Sequence, residues 1–74
     1  MAEMNILDKS GDIRLQFDKV NEAEVEAARE RFNEYKSRGW MAYKVDSQGK
    51  QAEVIYDFDP SAERIILQPQ MIGG

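Results

Sequence analysis

The chain of 74 residues contains no cysteine and no histidine. Their absence excludes a disulfide framework and a zinc site of the usual cysteine and histidine type. It also excludes a thiol nucleophile and any catalysis that uses imidazole as acid or base. No apolar run approaches the ~18 residues that a membrane-spanning helix needs. We therefore expect a protein that holds no metal or other cofactor and has no membrane partner.

Basic residues are the minority among the charged ones. Fourteen acidic and ten basic residues give a net charge of −4, which disfavours binding to a nucleic-acid backbone because such proteins usually present a basic face. The first four residues lack the basic and apolar regions of a signal peptide. We expect a soluble, cytoplasmic protein with no nucleic-acid partner, in the form of one small domain with a marginal core. The oligomeric state stays open.

Alternating apolar residues follow a glycine-containing turn near the start of the sequence. Ile13, Leu15 and Phe17 are apolar, and polar residues separate them. A period of two predicts a strand with one buried face. A shorter apolar run at residues 4–7 precedes the turn at residues 8–12. The two segments therefore predict a β-hairpin.

A helix is predicted over residues 22–38. Asn21 suits the N-cap position, and Glu24 stands three residues further on, as in a capping box. Val20 and Val25 occupy the two positions of a hydrophobic staple. Apolar residues at helical spacing predict the buried face of this helix, which consists of Val25, Ala28, Phe32 and Tyr35.

Three strands are predicted after the helix, which Gly39 is expected to end. The first covers residues 40–45 and the last residues 64–68, whose continuous apolar run favours a strand that is buried on both sides or central in the sheet. Pro69 cannot donate a ladder hydrogen bond, so pairing should weaken there. The middle strand is expected over residues 52–58, with one face formed by Val54, Tyr56 and Phe58.

Two small clusters have both a functional and a structural interpretation. Asp57 and Asp59 near the end of a predicted strand, with Asp46 in the neighbouring predicted turn, could hold a divalent cation through oxygen ligands. Turn chemistry is the favoured interpretation, because Asp59 precedes a proline and can accept hydrogen bonds from the backbone that follows it. A second cluster could stack on single-stranded nucleic acid, although a small domain needs such side chains in its core. It consists of Trp40, Tyr43, Tyr56 and Phe58.

The sequence from residue 63 onward contains a short polar segment, an apolar strand, a proline, a short segment that ends in the aliphatic Ile72, and two glycines. This segment resembles the ends of the sulfur carriers of thiamine and molybdopterin synthesis. Together with the order of hairpin, helix and closing strand, it resembles the ubiquitin-like β-grasp fold. The resemblance implies an α+β fold class, a small β-grasp-like ββαββ(β) domain with one helix packed on a mixed sheet. Residues 1–72 would form this single domain, and residues 73–74 a flexible tail.

The resemblance also implies a function that centres on the last two glycines. The carboxylate of Gly74 would be activated by a separate adenylating enzyme, and the protein would then carry sulfur or modify an acceptor protein. Gly73 and Gly74 would enter a channel too narrow for a Cβ atom, while Met71 and Ile72 would dock the tail on the partner. The chain would be a carried substrate and not an enzyme.

Two alternatives remain open from the sequence. A ββαββ chain of this length can adopt more than one sheet order. The protein could also be a small non-catalytic interaction or structural module, such as a virion or assembly component, in which the surface of the sheet does the work and the two glycines are incidental.

Overall fold

The computed structural model describes residues 1–46, 48–49 and 51–69. Its elements follow the predicted order of hairpin, helix and further strands. Their bounds are β1 Ala2–Asp8, β2 Gly11–Phe17, α1 Glu22–Ser37, β3 Met41–Val45, β4 Ala52–Val54 and β5 Arg64–Gln68.

The strands form one mixed sheet with the order β2-β1-β5-β3-β4. Strands β1 and β5 run parallel at its centre, and every other neighbouring pair is antiparallel. Helix α1 packs on one face of this sheet. The fold class is confirmed: the protein is a small β-grasp-like α+β domain with one helix on a five-stranded mixed sheet. The continuous apolar run in β5 did indicate a central strand.

The core lies between α1 and one face of the sheet. The helix contributes the predicted face, since Ala28, Phe32 and Tyr35 are buried and Val25 is partly buried against them. Because residues that lie opposite one another on paired strands share a face, the register brings the apolar residues of β1, β2 and β5 together on this side. The largest fully buried side chains are Phe17, Phe32, Met4, Ile6, Ile65 and Leu67.

The start of α1 differs in detail from the predicted capping box. The side-chain oxygen of Asn21 accepts hydrogen bonds from the N–H groups of Ala23 and Glu24, at 3.1 and 3.2 Å. The carboxylate of Glu24 instead accepts from the N–H of Asp18, at 3.1 Å, and from the Asn21 side-chain amide. The N–H that a capping box would satisfy donates to the Asp18 carbonyl. The cap therefore extends back to the end of β2.

The predicted hydrophobic staple is wrong. Val20 is 86% exposed, whereas Val25 packs against the buried cluster. The carboxylate of Asp18 accepts a hydrogen bond from the N–H of Val20 at 3.0 Å, and this local turn holds the residue on the outside of the domain. The entry angle of the chain is set by polar contacts, because the apolar contact of a staple is not made.

The end of α1 follows the prediction closely. Gly39 adopts a φ of 87°, a conformation that costs a residue with a Cβ atom but not glycine. Its N–H donates to the carbonyl of Lys36 at 3.0 Å. The chain then folds back, and the ring of Trp40 packs against that of Tyr35 with 4.6 Å between their centroids.

The expected strand over residues 52–58 is mostly wrong. Strand β4 ends at Val54, and the chain bends at residues 56–57. This bend breaks the period of two, so Tyr56 is 75% exposed. Phe58, by contrast, reaches the core and packs against Phe17 and Phe32 with centroid distances of 5.9 and 5.7 Å. The connection between β4 and β5 thus supplies a core side chain.

Candidate functional site

The closing strand β5 is held on both sides. It pairs in parallel with β1 from Glu3 and Arg64 onward, and in antiparallel with β3 as far as Met41 and Gln68. Its side chains Ile65 and Leu67 are fully buried beneath α1. A strand with ladder partners on both edges and an apolar face in the core is the most firmly fixed position in a small sheet.

The chain leaves the sheet at the end of β5. The side-chain amide of Gln68 donates a hydrogen bond to the hydroxyl of Tyr43 on β3, at 3.3 Å. Pro69 follows, and it lacks the N–H that would continue the ladder. The predicted activation residues Gly73 and Gly74 and the predicted docking residues Met71 and Ile72 all lie outside the described residues.

The face of the sheet turned away from α1 has an apolar row at its centre. Tyr43 on β3 lies opposite both Ile66 on β5 and Val54 on β4. Tyr43 and Ile66 are half-buried, and Val54 is 38% exposed. Leu7 on β1 adds a side chain that is 37% exposed. We call this set, Leu7, Tyr43, Val54 and Ile66, the open-face row.

A carboxylate between two arginines borders the open-face row. The two oxygens of Glu3 lie 3.5 Å from Nε of Arg14 and 3.3 Å from Nε of Arg64. The Asn5 side-chain amide also donates to this carboxylate at 3.3 Å. These contacts join β2, β1 and β5 across the sheet. The side chain of Glu3 is only 17% exposed, so these contacts replace part of its hydration.

A second polar cluster lies on the helix side, where β3 meets the connection to β5. The Lys44 ammonium is 3.1 Å from the carboxylate of Asp59 and 3.5 Å from that of Glu53. The hydrogen bond to Asp59, with the negative charge of Glu53, raises the pKa of Lys44. The side-chain and backbone donors of Ser61, followed by Lys44, lower the pKa of Asp59. The cluster fastens the 55–63 connection to β3.

This geometry decides between the two interpretations of Asp59. Its Oδ1 accepts hydrogen bonds from the backbone N–H and the hydroxyl of Ser61, at 2.9 and 2.6 Å. Turn chemistry is therefore confirmed for this residue. Within residues 1–46, 48–49 and 51–69, no group of three or more acidic side chains is arranged to hold a metal ion. The carboxylate set of Asp46, Asp57 and Asp59 does not form a cation site there.

The four aromatic residues considered as a stacking platform do not share a surface. Phe58 is half-buried against the core, and Trp40 covers the end of α1. Tyr43 lies on the opposite face of the sheet, and Tyr56 projects from the bend after β4. The separation of Tyr56 from Phe58 depends on the bend at residues 56–57, which sequence proximity could not reveal. The dispersal removes the structural basis for the nucleic-acid interpretation.

An ion pair and a backbone hydrogen bond hold the residue that precedes β5. The ammonium of Lys19, in the loop before α1, pairs with the carboxylate of Glu63, and the contact lowers the pKa of Glu63. The carbonyl of Glu63 accepts a hydrogen bond from the N–H of Glu3 at 2.9 Å. These bonds fix the point at which the chain enters β5, and neither was visible in the sequence because the partners are far apart along the chain.

In the part of the chain that the structure describes, no helix has the length and apolar character needed to cross a membrane. Comparison with known proteins gives no match to any protein-family model, to any curated protein or to any solved structure.

Proposed function

We propose that this protein is a ubiquitin-like carrier whose reactive group is the carboxylate of Gly74, in the form of the chain that ends at this residue. A separate adenylating enzyme activates the carboxylate, and the product either carries sulfur or modifies an acceptor protein. The observation that supports the proposal is the position of β5. This strand is fixed at the centre of the sheet, and the sequence Gln70-Met71-Ile72-Gly73-Gly74 follows it directly after Pro69.

A carrier of this kind needs a rigid body and a slim reactive end. The partner enzyme recognises the folded domain, while the last residues enter its active site. Because glycine has no Cβ atom, a Gly-Gly segment fits a channel that a bulkier residue would block. The central position of β5 supports this separation of a rigid domain from a reactive end. Because β5 is paired on both edges, the domain stays folded while the residues beyond Pro69 enter the active site of the partner enzyme.

The chemistry belongs to the partner enzyme. A carboxylate oxygen of Gly74 attacks the α-phosphorus of ATP, and pyrophosphate leaves. The carboxyl carbon of the resulting acyl adenylate is then attacked by sulfide-level sulfur from a donor, which yields a thiocarboxylate, or by an amine or thiol of an acceptor protein. In each case the bond from this carbon to the phosphate oxygen breaks, and AMP leaves. In each route the carrier contributes its carboxyl carbon and its docking surface, and it acts as the substrate of the adenylating enzyme.

The proposal is tested by intact mass spectrometry after incubation with ATP and lysate of the source organism. We expect a species heavier by the difference between sulfur and oxygen, or an isopeptide-linked product. The Gly73→Val, Gly74→Val double variant should give neither, whereas Gln70→Ala, a control in the same segment, should behave like the parent. Failure of the parent chain to react, or equal reaction of the double variant, would overturn the proposal.

The open-face row favours a second candidate function, a non-catalytic interaction module. Its apolar side chains lie on the face of the sheet that α1 does not cover, at the centre of a polar border. In this alternative, Tyr43→Lys would abolish capture of a partner, and removal of residues 70–74 would leave capture unchanged. The carrier proposal predicts the opposite outcome for the activation reaction. Removal of residues 70–74 must eliminate that reaction.

A further inference from the structure

The two edges of the sheet are very different. Strand β4 forms one edge with only three residues, whereas β2 forms the other with seven, Gly11–Phe17. Natural edge strands are usually protected by shortness, lysine, proline or a bulge, because an unpaired edge is a template for another strand. The first of these devices protects β4. Strand β2 contains neither lysine nor proline, and it pairs with β1 without interruption along its whole length.

The apolar side of β2 is incompletely covered. Phe17 is 1% exposed and Leu15 packs against the core, but Ile13 is 42% exposed although it is in phase with both. Cover by α1 therefore diminishes along β2 toward the hairpin turn. Among the residues that the structure describes, none pairs with the outer edge of β2. An isoleucine on the helix side of this edge is the position that a further strand would bury.

The polar side of β2 carries two opposite charges. Asp12 forms no ion pair with any residue that the structure describes. Arg14 contacts Glu3 at 3.5 Å, yet its side chain is 71% exposed, which leaves guanidinium donors available. Both residues lie on the same face, two positions apart on the same strand. In an antiparallel neighbour of the same sequence, Asp12 can therefore lie opposite an arginine and Arg14 opposite an aspartate.

We infer that β2 pairs with β2 of a second copy of this chain, in an antiparallel register centred on Ile13, and that the two sheets continue across a two-fold axis. In this register Ile13 lies opposite Ile13 of the second copy. Asp12 lies opposite Arg14 of the second copy, and symmetry repeats the pair. A two-fold interface uses the same patch twice, so a self-complementary strand suffices.

Competing registers are less favourable. Centring on Arg14 would place two arginines directly opposite each other, and like charges at such positions destabilise a strand pair. If one strand slipped by one residue past the other, Ile13 would lie opposite Asp12 or Arg14 of the second copy, and its apolar side chain would be exposed. The contact covers a single strand per copy, so the dimer should be weak and should depend on protein concentration.

The test is sedimentation velocity of the full chain over a range of concentrations, with charge reversals on β2. We expect the wild type to dimerise as its concentration rises. Asp12→Arg and Arg14→Asp should each weaken the association about tenfold or more, because two attractive pairs become repulsive. An equimolar mixture of the two variants should form a heterodimer, since its pairs are again complementary, and the variant with both changes should recover self-association.

Gln16→Arg is the matched control. It changes the charge of the same face of the same strand, but in the proposed register residue 16 lies outside the paired segment, so association should be unchanged. Stronger association of Gln16→Arg would indicate the register centred on Arg14 and would overturn the one proposed. A wild type that stays monomeric, or single variants that associate like it, would overturn the dimer itself.

A measurement on the wild type alone keeps the inference testable even if a variant fails to fold. In the wild type, amide hydrogen exchange of β2 should slow as the concentration rises, while exchange of β4 stays constant. Equal behaviour of the two edges would contradict the inference. These outcomes are independent of the proposed carrier function, because β2 and the residues after Pro69 are altered in separate experiments.

Discussion

The rings of Phe32 and Phe58 meet nearly edge to face, with 5.7 Å between the centroids and 68° between the planes. Phe32 belongs to α1, and Phe58 belongs to the irregular connection between β4 and β5. The guanidinium of Arg29 lies over the outer side of the Phe58 ring, 5.6 Å from its centroid. Phe58 therefore anchors this connection to the helix, in addition to Ile55 and Ala62, which pack against or within the core.

Truncation of this pair should measure how much of the core it supplies. Phe32→Ala should lower the free energy of unfolding by about 3–5 kcal/mol, because the side chain is fully buried and leaves a cavity. Phe58→Ala should cost less, since the residue is only half-buried, but more than about 1 kcal/mol. Tyr56→Ala, at an exposed position of the same connection, is the control and should cost below about 1 kcal/mol. Urea denaturation measures all three, and a larger loss for Tyr56 than for Phe58 would contradict the observed packing.

The absence of the hydrophobic staple gives a second prediction. Val20→Ala should change the free energy of unfolding by less than about 0.5 kcal/mol, because its side chain is in water. Val25→Ala should cost about 1 kcal/mol or more, since it removes partly buried methyl groups from the helix face. The comparison uses the same substitution at both ends of the expected staple. Equal costs would show that the two valines do act together.

The end of α1 gives a third prediction, which concerns the backbone. Gly39→Ala should destabilise by about 1–2 kcal/mol, because an alanine disfavours the left-handed conformation seen there. A Cβ at this position would meet no atom within 4 Å, so steric contact does not add to the cost. Gly39→Asn should lose less, since asparagine tolerates this conformation better. If alanine and asparagine cost the same, the penalty has another origin.

The contacts of Asp59 predict a dependence of stability on pH. Hydrogen bonds from Ser61 and the nearby Lys44 lower the pKa of Asp59 in the folded protein below its ordinary value of 3.8. The ionised form therefore stabilises the fold at neutral pH, and this contribution is lost as the pH falls from the ordinary value through the lower folded pKa. Asp59→Asn should be less stable than the parent at pH 7, and the difference should shrink toward acid pH.

The measurement is urea denaturation of both proteins between neutral and acid pH. Ser61→Ala is the matched variant, because it removes the hydroxyl donor and keeps the carboxylate and the backbone N–H. It should show a smaller effect in the same direction. Stability curves for parent and Asp59→Asn that stay parallel down to acid pH would refute the assignment.

The parts of the fold that the sequence determined are those set by neighbouring residues. Alternation at Ile13, Leu15 and Phe17 predicts a strand, and helical spacing from Val25 to Tyr35 predicts the buried face of α1, because each pattern repeats with the geometry of its own element. Gly39 marks the end of the helix for an equally local reason. The glycines at positions 73 and 74 are likewise a property of the sequence alone.

Only the tertiary structure decided which apolar residues are buried in the core and which remain exposed. The sequence placed Val54, Tyr56 and Phe58 on one face, yet they lie in three different environments because the chain bends after β4. Val20 and Ile13 are as apolar as their buried neighbours but remain exposed, since burial depends on where α1 lies across the sheet. Local periodicity specifies the elements, whereas the free energy of burial depends on contacts between residues that are far apart in the chain.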